Sequence, residues 1–288
     1  MTDEVTNAMT LDCGDDDLVL ETVDNLNVWA IKEMPSFEGW KAFVLPGAFY
    51  GQCVSLFAKA GFERAISVEE ADVVVFIGGV DVNPELYGER AIPQTQMPSP
   101  ARDNLEIEVY KKCIELGKPM YGICRGAQFL HVMNDGTLWQ HVEGHAGPDH
   151  YIYDTEDDCL VMATSLHHQM LTLNDKIDVL AVCKDQVSKK FHSAEMVLDL
   201  NKEGSNASVE IEIEAGIYWD TRCFFVQGHP EVGSEEYQSW AMTKFWEFCN
   251  ELAERHGPGE EDSDPLDEEL ALIEEENTLL TPRGLYQH

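Results

Sequence analysis

The hydrophobic positions fall into two regimes along the chain. In the first half, short unbroken apolar runs alternate with amphipathic stretches. Lys41–Leu45 (KAFVL) ends at Pro46-Gly47, and FYGQCVSLFAKAGF after it sets Cys53, Leu56 and Phe57 on one face of a helix that Gly61 stops. Ala71–Gly79 (ADVVVFIGG) is a continuous run of β-branched and aromatic residues, which predicts a strand buried on both faces of a parallel sheet with its end at a ligand crevice. Glu106–Leu116 reads as a helix closed by Gly117, and KPMYGIC as a second buried strand. RGAQFLHVMN follows at once, with Phe129, Leu130 and Met133 on one helical face and Gly136 as the stop. Strand and helix alternating in this way predict a doubly wound α/β fold with a mostly parallel sheet and helices on both faces.

The second half is richer in strands. HYIYD, CLVMATS, IDVLAVC, ASVEIEIEAGIYWD and CFFVQGHPE predict β ribbons and a final return to the sheet, followed by a helix from Glu235 to about Glu254. With no internal repeat and no Gly/Ser-rich linker, residues 27–256 read as one domain, opened by a short strand within NVWAIKEM. Residues 1–26 form an acidic arm and residues 257–288 an acidic tail. Leu266, Leu270 and Ile273 in the tail stand at i, i+4 and i+7, so it is either a solvated segment or a short amphipathic helix that docks a partner or a second copy in a homo-oligomer.

Charge narrows the choice of partners. The 288 residues carry 54 acidic and 19 basic side chains, a formal net charge of -35, which repels phosphate backbones and anionic lipid surfaces. Neither nucleic acid nor membrane is expected as a direct partner. The eight cysteines are scattered without a CxxC pair, the N-terminus has no basic start with an apolar run, and no stretch of about 18 apolar residues exists. A reducing cytoplasm is the expected location, and a disulfide framework is not expected.

The segment YGICRGAQ carries the chemistry. A buried strand runs into a helix with Cys124 at the junction, between Gly122 and Gly126, in the form of a nucleophile elbow. The start of the following helix favours a thiolate, and the Arg125 backbone N–H can face a developing oxyanion. A free cysteine is more often a small buried hydrophobe, but the Gly-x-Cys-x-Gly frame favours the nucleophile. CFFVQGHPE supplies a base, His229, with Glu231 two residues on to orient the imidazole. His141, His145 and His150, with His167 and His168, suggest zinc only at first sight. Gly144, Gly147 and Pro148 break any helical face, so a loop through which substrate enters is expected there and no metal.

GICRGAQ together with GHPE resembles the class I glutamine amidotransferase superfamily, and FIGGVDVNPELYGE resembles its γ-glutamyl-γ-aminobutyrate hydrolase branch, peptidase family C26. The likeness runs from Asp72 to Trp246 and takes in Arg102-Asp103 and Ser165-Leu166-His167. It implies a flavodoxin-like fold, with Cys124 attacking the γ-carbonyl, His229 carrying the proton and Glu231 orienting it. Gly79 and Arg125 would supply the oxyanion N–H groups. Gln128 and the Ser165, Leu166 and His167 segment would receive the glutamyl head group, while Asp81 either joins them or caps a turn. No cofactor is implied. Gly228 departs from the branch, which often has an aromatic residue there. Three readings follow: a hydrolase of γ-glutamyl compounds or glutamine, a glutaminase subunit feeding ammonia to a separate synthetase, or a non-catalytic binding protein with this fold.

Overall fold

The computed structural model describes residues 27–202 and 211–255. The chain divides into two compact units, Met1–Cys249 and Asn250–His288, and of the second only the last residues of one helix are described. The acidic arm and the Leu266–Ile273 segment lie outside the described residues.

Ten strands build the main sheet: β1 (Asn27–Val28), β2 (Lys41–Val44), β3 (Glu63–Arg64), β4 (Val73–Phe76), β5 (Met120–Ile123), β6 (His150–Asp154), β7 (Cys159–Ala163), β8 (Asp178–Cys183), β9 (Ile213–Tyr218) and β10 (Cys223–Val226). Their spatial order is β1-β7-β6-β8-β9-β10-β5-β4-β2-β3. From β3 to β10 every pairing is parallel, and the order of these five strands is the 2-1-3-4-5 of a flavodoxin-like sheet. From β10 to β7 every pairing is antiparallel, which makes the whole sheet mixed. β1 is only two residues long, so most of NVWAIKEM lies outside the strand.

Four helices flank the sheet: α1 (Tyr50–Lys59), α2 (Pro100–Glu115), α3 (Arg125–Met133) and α4 (Glu235–Arg255). α2 starts six residues before the expected Glu106, because Ser99 and Pro100 provide an N-terminal boundary with proline in the first turn. That earlier start puts Arg102 and Glu106 on one face, four residues apart.

The central strands β4 and β5 are buried along their whole length, as their apolar runs predict. Alternation sends Tyr121 and Phe224 toward Phe57 of α1 and Phe245 of α4, while Phe76 stacks on Phe129 of α3 at 5.5 Å. Truncating one such ring to alanine costs about 3–5 kcal/mol, so this aromatic packing fixes how the helices sit above the strand ends. Among the described residues no helix is long and apolar enough to cross a membrane. The seven cysteines among them are free and buried.

Candidate active site

β5 passes into α3 through Cys124, whose φ of 53° and ψ of -110° are strained for any residue with a side chain. The conformation is pinned at both ends: the Cys124 N–H donates to the Val226 carbonyl at 3.0 Å, and the Gln128 N–H to the Cys124 carbonyl at 3.1 Å. The two flanking glycines are required by space. A Cβ at Gly122 would stand 2.9 Å from the Ala127 backbone, and one at Gly126 would strike the Phe76 carbonyl of β4. Only glycine lets α3 come down this close onto the sheet, and that approach presents Cys124 at the carboxyl end of β5.

The next strand end brings up His229. Beyond β10, the His229 N–H donates to the Thr164 carbonyl at 2.9 Å, which fixes the backbone from which the imidazole projects. Glu231 sits in the short turn Pro230–Val232 with Oε1 2.6 Å from His229 Nδ1, so Nδ1–H donates to the carboxylate and Nε2 remains for Cys124. Burial works against the imidazolium, but the Cys124 charge and hydrogen bond, with the Glu231 carboxylate, outweigh it and raise the His229 pKa to about 10. The Phe49 ring meets the imidazole edge-on at 5.4 Å.

The third wall is the turn after β4. Gly78 has no room for a side chain: a Cβ there would stand 2.9 Å from His229 Cε1 and 3.8 Å from Cys124 Cβ. Three donors hold this turn from outside. The Ala48 N–H reaches the Gly78 carbonyl at 3.0 Å, and the Arg102 guanidinium reaches the Gly78 carbonyl at 3.1 Å and the Ile77 carbonyl at 2.7 Å. A planar trans peptide points its N–H opposite to its C=O, so fixing the Gly78 oxygen toward Arg102 fixes the direction of the Gly79 N–H. Gly79 itself has φ of 147°, a region that favours glycine. Arg102 is held in turn by Glu106 at 2.8 Å.

The Arg125 side chain turns away from the crevice, pairing with Asp103 and Glu106 and reaching the Val80 carbonyl at 3.2 Å. Burial chiefly, with Arg102 beside it, lowers its pKa to about 9. Its backbone N–H is one of the first-turn donors that a helix leaves without an intrahelical partner.

Cys124, His229, Glu231, Gly79 and Arg125 thus meet at one crevice. The expected head-group residues are distributed differently. Gln128 is buried on α3. Asp81 accepts the Gln96 N–H at 2.6 Å and faces His168 Nε2 at 3.0 Å, tying two loops together. Ser165 donates its hydroxyl to the His145 carbonyl at 2.5 Å, and His167 donates Nδ1–H to the Gln169 carbonyl at 2.9 Å, so both side chains are engaged internally while Leu166 is 44% exposed. The histidines separate into two groups: His141 lies 3.3 Å from His168, whereas His145, His150 and His167 gather around Glu214. At Gly228, a Cβ would stand 2.5 Å from the Tyr237 hydroxyl, so Tyr237 occupies the space an aromatic residue at 228 would need. Phe49, Thr164 and Tyr237 are site neighbours that no motif in the sequence announces.

The peptidase C26 family model matches residues 50–198, just over half of the chain. A glutamine amidotransferase-like protein of Lactococcus lactis subsp. cremoris is 35% identical over 119 residues, covering 35% of this chain and 63% of the relative. A second such protein, from Lactococcus lactis subsp. lactis, is 32% identical over 119 residues, covering 35% of this chain and 50% of the relative. The carbamoyl phosphate synthase small chain of Zymomonas mobilis is 27% identical over 140 residues, covering 48% of this chain and 32% of the relative. The match therefore spans between 32% and 63% of the length of these relatives.

Proposed function

The chain belongs to the peptidase C26 family, and on that premise we propose that it is a cysteine-dependent amide hydrolase, which cleaves the γ-amide of a γ-glutamyl compound or of glutamine through a thioester on Cys124. The observation that carries this reading is the strained Cys124 elbow with the buried His229–Glu231 pair beside it. The thiolate is the form that attacks carbonyl carbon, and His229 is the group beside Cys124 that takes up its proton. As the C–S bond forms, the carbonyl oxygen becomes an oxyanion to which the Gly79 and Arg125 N–H groups donate, and His229 gives its proton to the departing amine as the C–N bond breaks. A water molecule, deprotonated by His229, then opens the thioester and returns Cys124. Acid–base transfer of this kind contributes about 10²–10⁴-fold and each oxyanion donor about 10²–10³-fold.

Gln128 and the Ser165, Leu166 and His167 segment form the head-group end of the pocket in this reading, through Gln128's amide and the backbone of the segment, because the Ser165 and His167 side chains are already engaged. Asp81, paired to His168, shapes the loop over that end. Similarity to a synthase small chain favours a second reading, a glutaminase subunit that passes ammonia to a separate synthetase. Steady-state assays of the full chain with γ-glutamyl amides and with glutamine separate them. Rapid cleavage of γ-glutamyl amides by the protein alone supports the hydrolase, glutamine turnover that rises only with an added partner supports the subunit, and no turnover of either substrate under both conditions rejects amide hydrolysis.

A further inference from the structure

Away from Cys124, a second group of reactive side chains converges from three segments distant in sequence. Glu214 of β9 places Oε1 3.4 Å from His145 Nδ1, 3.2 Å from His150 Nε2 and 3.3 Å from Cys183 Sγ at the end of β8. One donor atom from each of the four residues lies within 4.8 Å of the others. Ligands of a tetrahedral zinc, at about 2.0–2.3 Å from the ion, stand about 3.3–3.6 Å from one another. The three distances to Glu214 Oε1, 3.2–3.4 Å, match edges of such a polyhedron, and the remaining pairs, within 4.8 Å, would draw in around an ion.

The proton positions also fit a cation. Glu212 is locked as an acceptor by the Val187 and Ser188 N–H groups, at 2.8 and 2.7 Å, and takes His145 Nε2–H at 3.0 Å. The His145 lone pair is therefore on Nδ1, facing the cluster, and a carboxylate behind a histidine ligand is the usual outer partner of a zinc site. His167 is fixed in the same sense, because Nδ1–H goes to the Gln169 carbonyl and Nε2 faces Glu214 at 3.8 Å. His145 Nδ1, His167 Nε2 and Glu214 Oε2 are all buried and have no hydrogen-bond partner. An unpaired buried acceptor costs about 1–3 kcal/mol, and a divalent cation held by the four residues would satisfy His145 Nδ1 directly, with His167 Nε2 and Glu214 Oε2 beside it. With one thiolate and one carboxylate as ligands the ion's two charges are neutralised, as burial requires.

We infer that His145, His150, Cys183 and Glu214 form a structural zinc site, with His167 at its edge. Four protein ligands close the coordination sphere, which is the arrangement of a structural rather than a catalytic ion. The ion would tie the loop of residues 145–150 to β8 and β9. Its neighbours reach the crevice by two hydrogen bonds: Ser165, next to the Thr164 carbonyl that holds His229, bonds the His145 carbonyl, and the Glu214 carbonyl accepts the Gln227 N–H at 2.7 Å. The inference stands on this geometry alone and is independent of amide hydrolysis.

The test uses the full chain, stripped of metal and reloaded with zinc or cobalt alone, then desalted. Elemental analysis should give about one zinc per chain. The cobalt form should show a sulfur-to-metal charge-transfer band and the intense visible bands of a tetrahedral site, retained in Cys124→Ala and lost in Cys183→Ser. Zinc X-ray absorption on the unmutated protein should find one sulfur at about 2.3 Å with nitrogen and oxygen at about 2.0–2.2 Å, which decides the matter even where Cys183→Ser fails to fold. Metal well below one per chain, a zinc shell without sulfur, or a charge-transfer band abolished by Cys124→Ala would overturn the inference.

Discussion

Arg102 offers the sharpest test of how the crevice is held together. Its guanidinium makes two charge-assisted bonds to the Ile77 and Gly78 carbonyls and an ion pair with Glu106, yet nothing in the account has it touch the substrate. It is a positioning residue: it aims the Gly79 N–H by holding the other end of the same peptide. Removing an oxyanion donor outright raises the barrier by about 2.7–4 kcal/mol, or 10²–10³-fold in kcat. Arg102→Met leaves the donor in place and leaves the Ala48 N–H bond to the Gly78 carbonyl, so we expect a smaller loss, about 10–100-fold in kcat, with KM changed less than threefold or so. Arg102→Lys keeps the charge but not the fork that spans two carbonyls, and should fall in the same range. The assay is steady-state hydrolysis of the preferred γ-glutamyl substrate, with thermal unfolding in parallel to count folded protein. A kcat within twofold of the parent for Arg102→Met, or a fall fully matched by lost folded protein, would refute the reasoning.

Three further outcomes follow from the same structure. Glu231→Gln removes the carboxylate that helps hold His229 protonated near pH 10, so the pKa should drop toward the ordinary histidine range and alkylation of Cys124 at pH 7 should slow, with kcat lower by about 10²–10⁴-fold; an unchanged alkylation rate would count against the pair. His131 is buried between Tyr218 and the Thr137 carbonyl, and burial lowers its pKa from 6.5 to about 4. The unfolded chain therefore takes up this proton first on acidification: the stabilising difference is complete above pH 6.5 and is lost as pH falls toward 4, about 3 kcal/mol in all. Urea unfolding at pH 7 and pH 4.5 should show a shallower pH dependence in His131→Phe, and an equal slope would be evidence against it. Gly228→Trp collides with Tyr237 and the Thr164 carbonyl and should destabilise by at least about 1–3 kcal/mol, whereas adding Tyr237→Ala should recover part of the loss; simple additivity in that cycle would mean the two positions do not share space.

What the sequence could reveal depended on range. The elbow was legible because its requirement is local: Gly122 and Gly126 flank Cys124 within two residues, and a clash of backbone against Cβ is a property of that short segment. The buried strands β4 and β5 were legible as unbroken apolar runs, and their alternation with helices foretold the parallel half of the sheet. The antiparallel half was legible as strands but not as an order, since β6 to β9 pair through contacts that no local pattern encodes. The first turn of α2, Pro100 to Asn104, is polar and carries no apolar periodicity; Arg102 and Asp103 face buried ionic partners instead of the apolar core that helical periodicity detects. Ser165 and His167 showed the right composition for a pocket, but composition cannot tell a side chain aimed at substrate from one aimed at His145 or Glu214. The histidines between 141 and 168 stand out in the sequence, but the gathering of His145 and His150 with Cys183 and Glu214 does not, because His150, Cys183 and Glu214 lie about thirty residues apart, a separation no local spacing rule spans.

The central claim is that Cys124 is the nucleophile. The most direct measurement is mass spectrometry of the full chain after incubation with a glutamine-derived electrophile such as 6-diazo-5-oxo-norleucine, with peptide mapping and with Cys124→Ala alongside. With Cys124 as nucleophile, one adduct per chain forms on Cys124, faster than on any other of the eight cysteines, and none in the variant, together with loss of hydrolysis in both the labelled protein and the variant. Labelling at another cysteine, or hydrolysis that survives in Cys124→Ala, would contradict it.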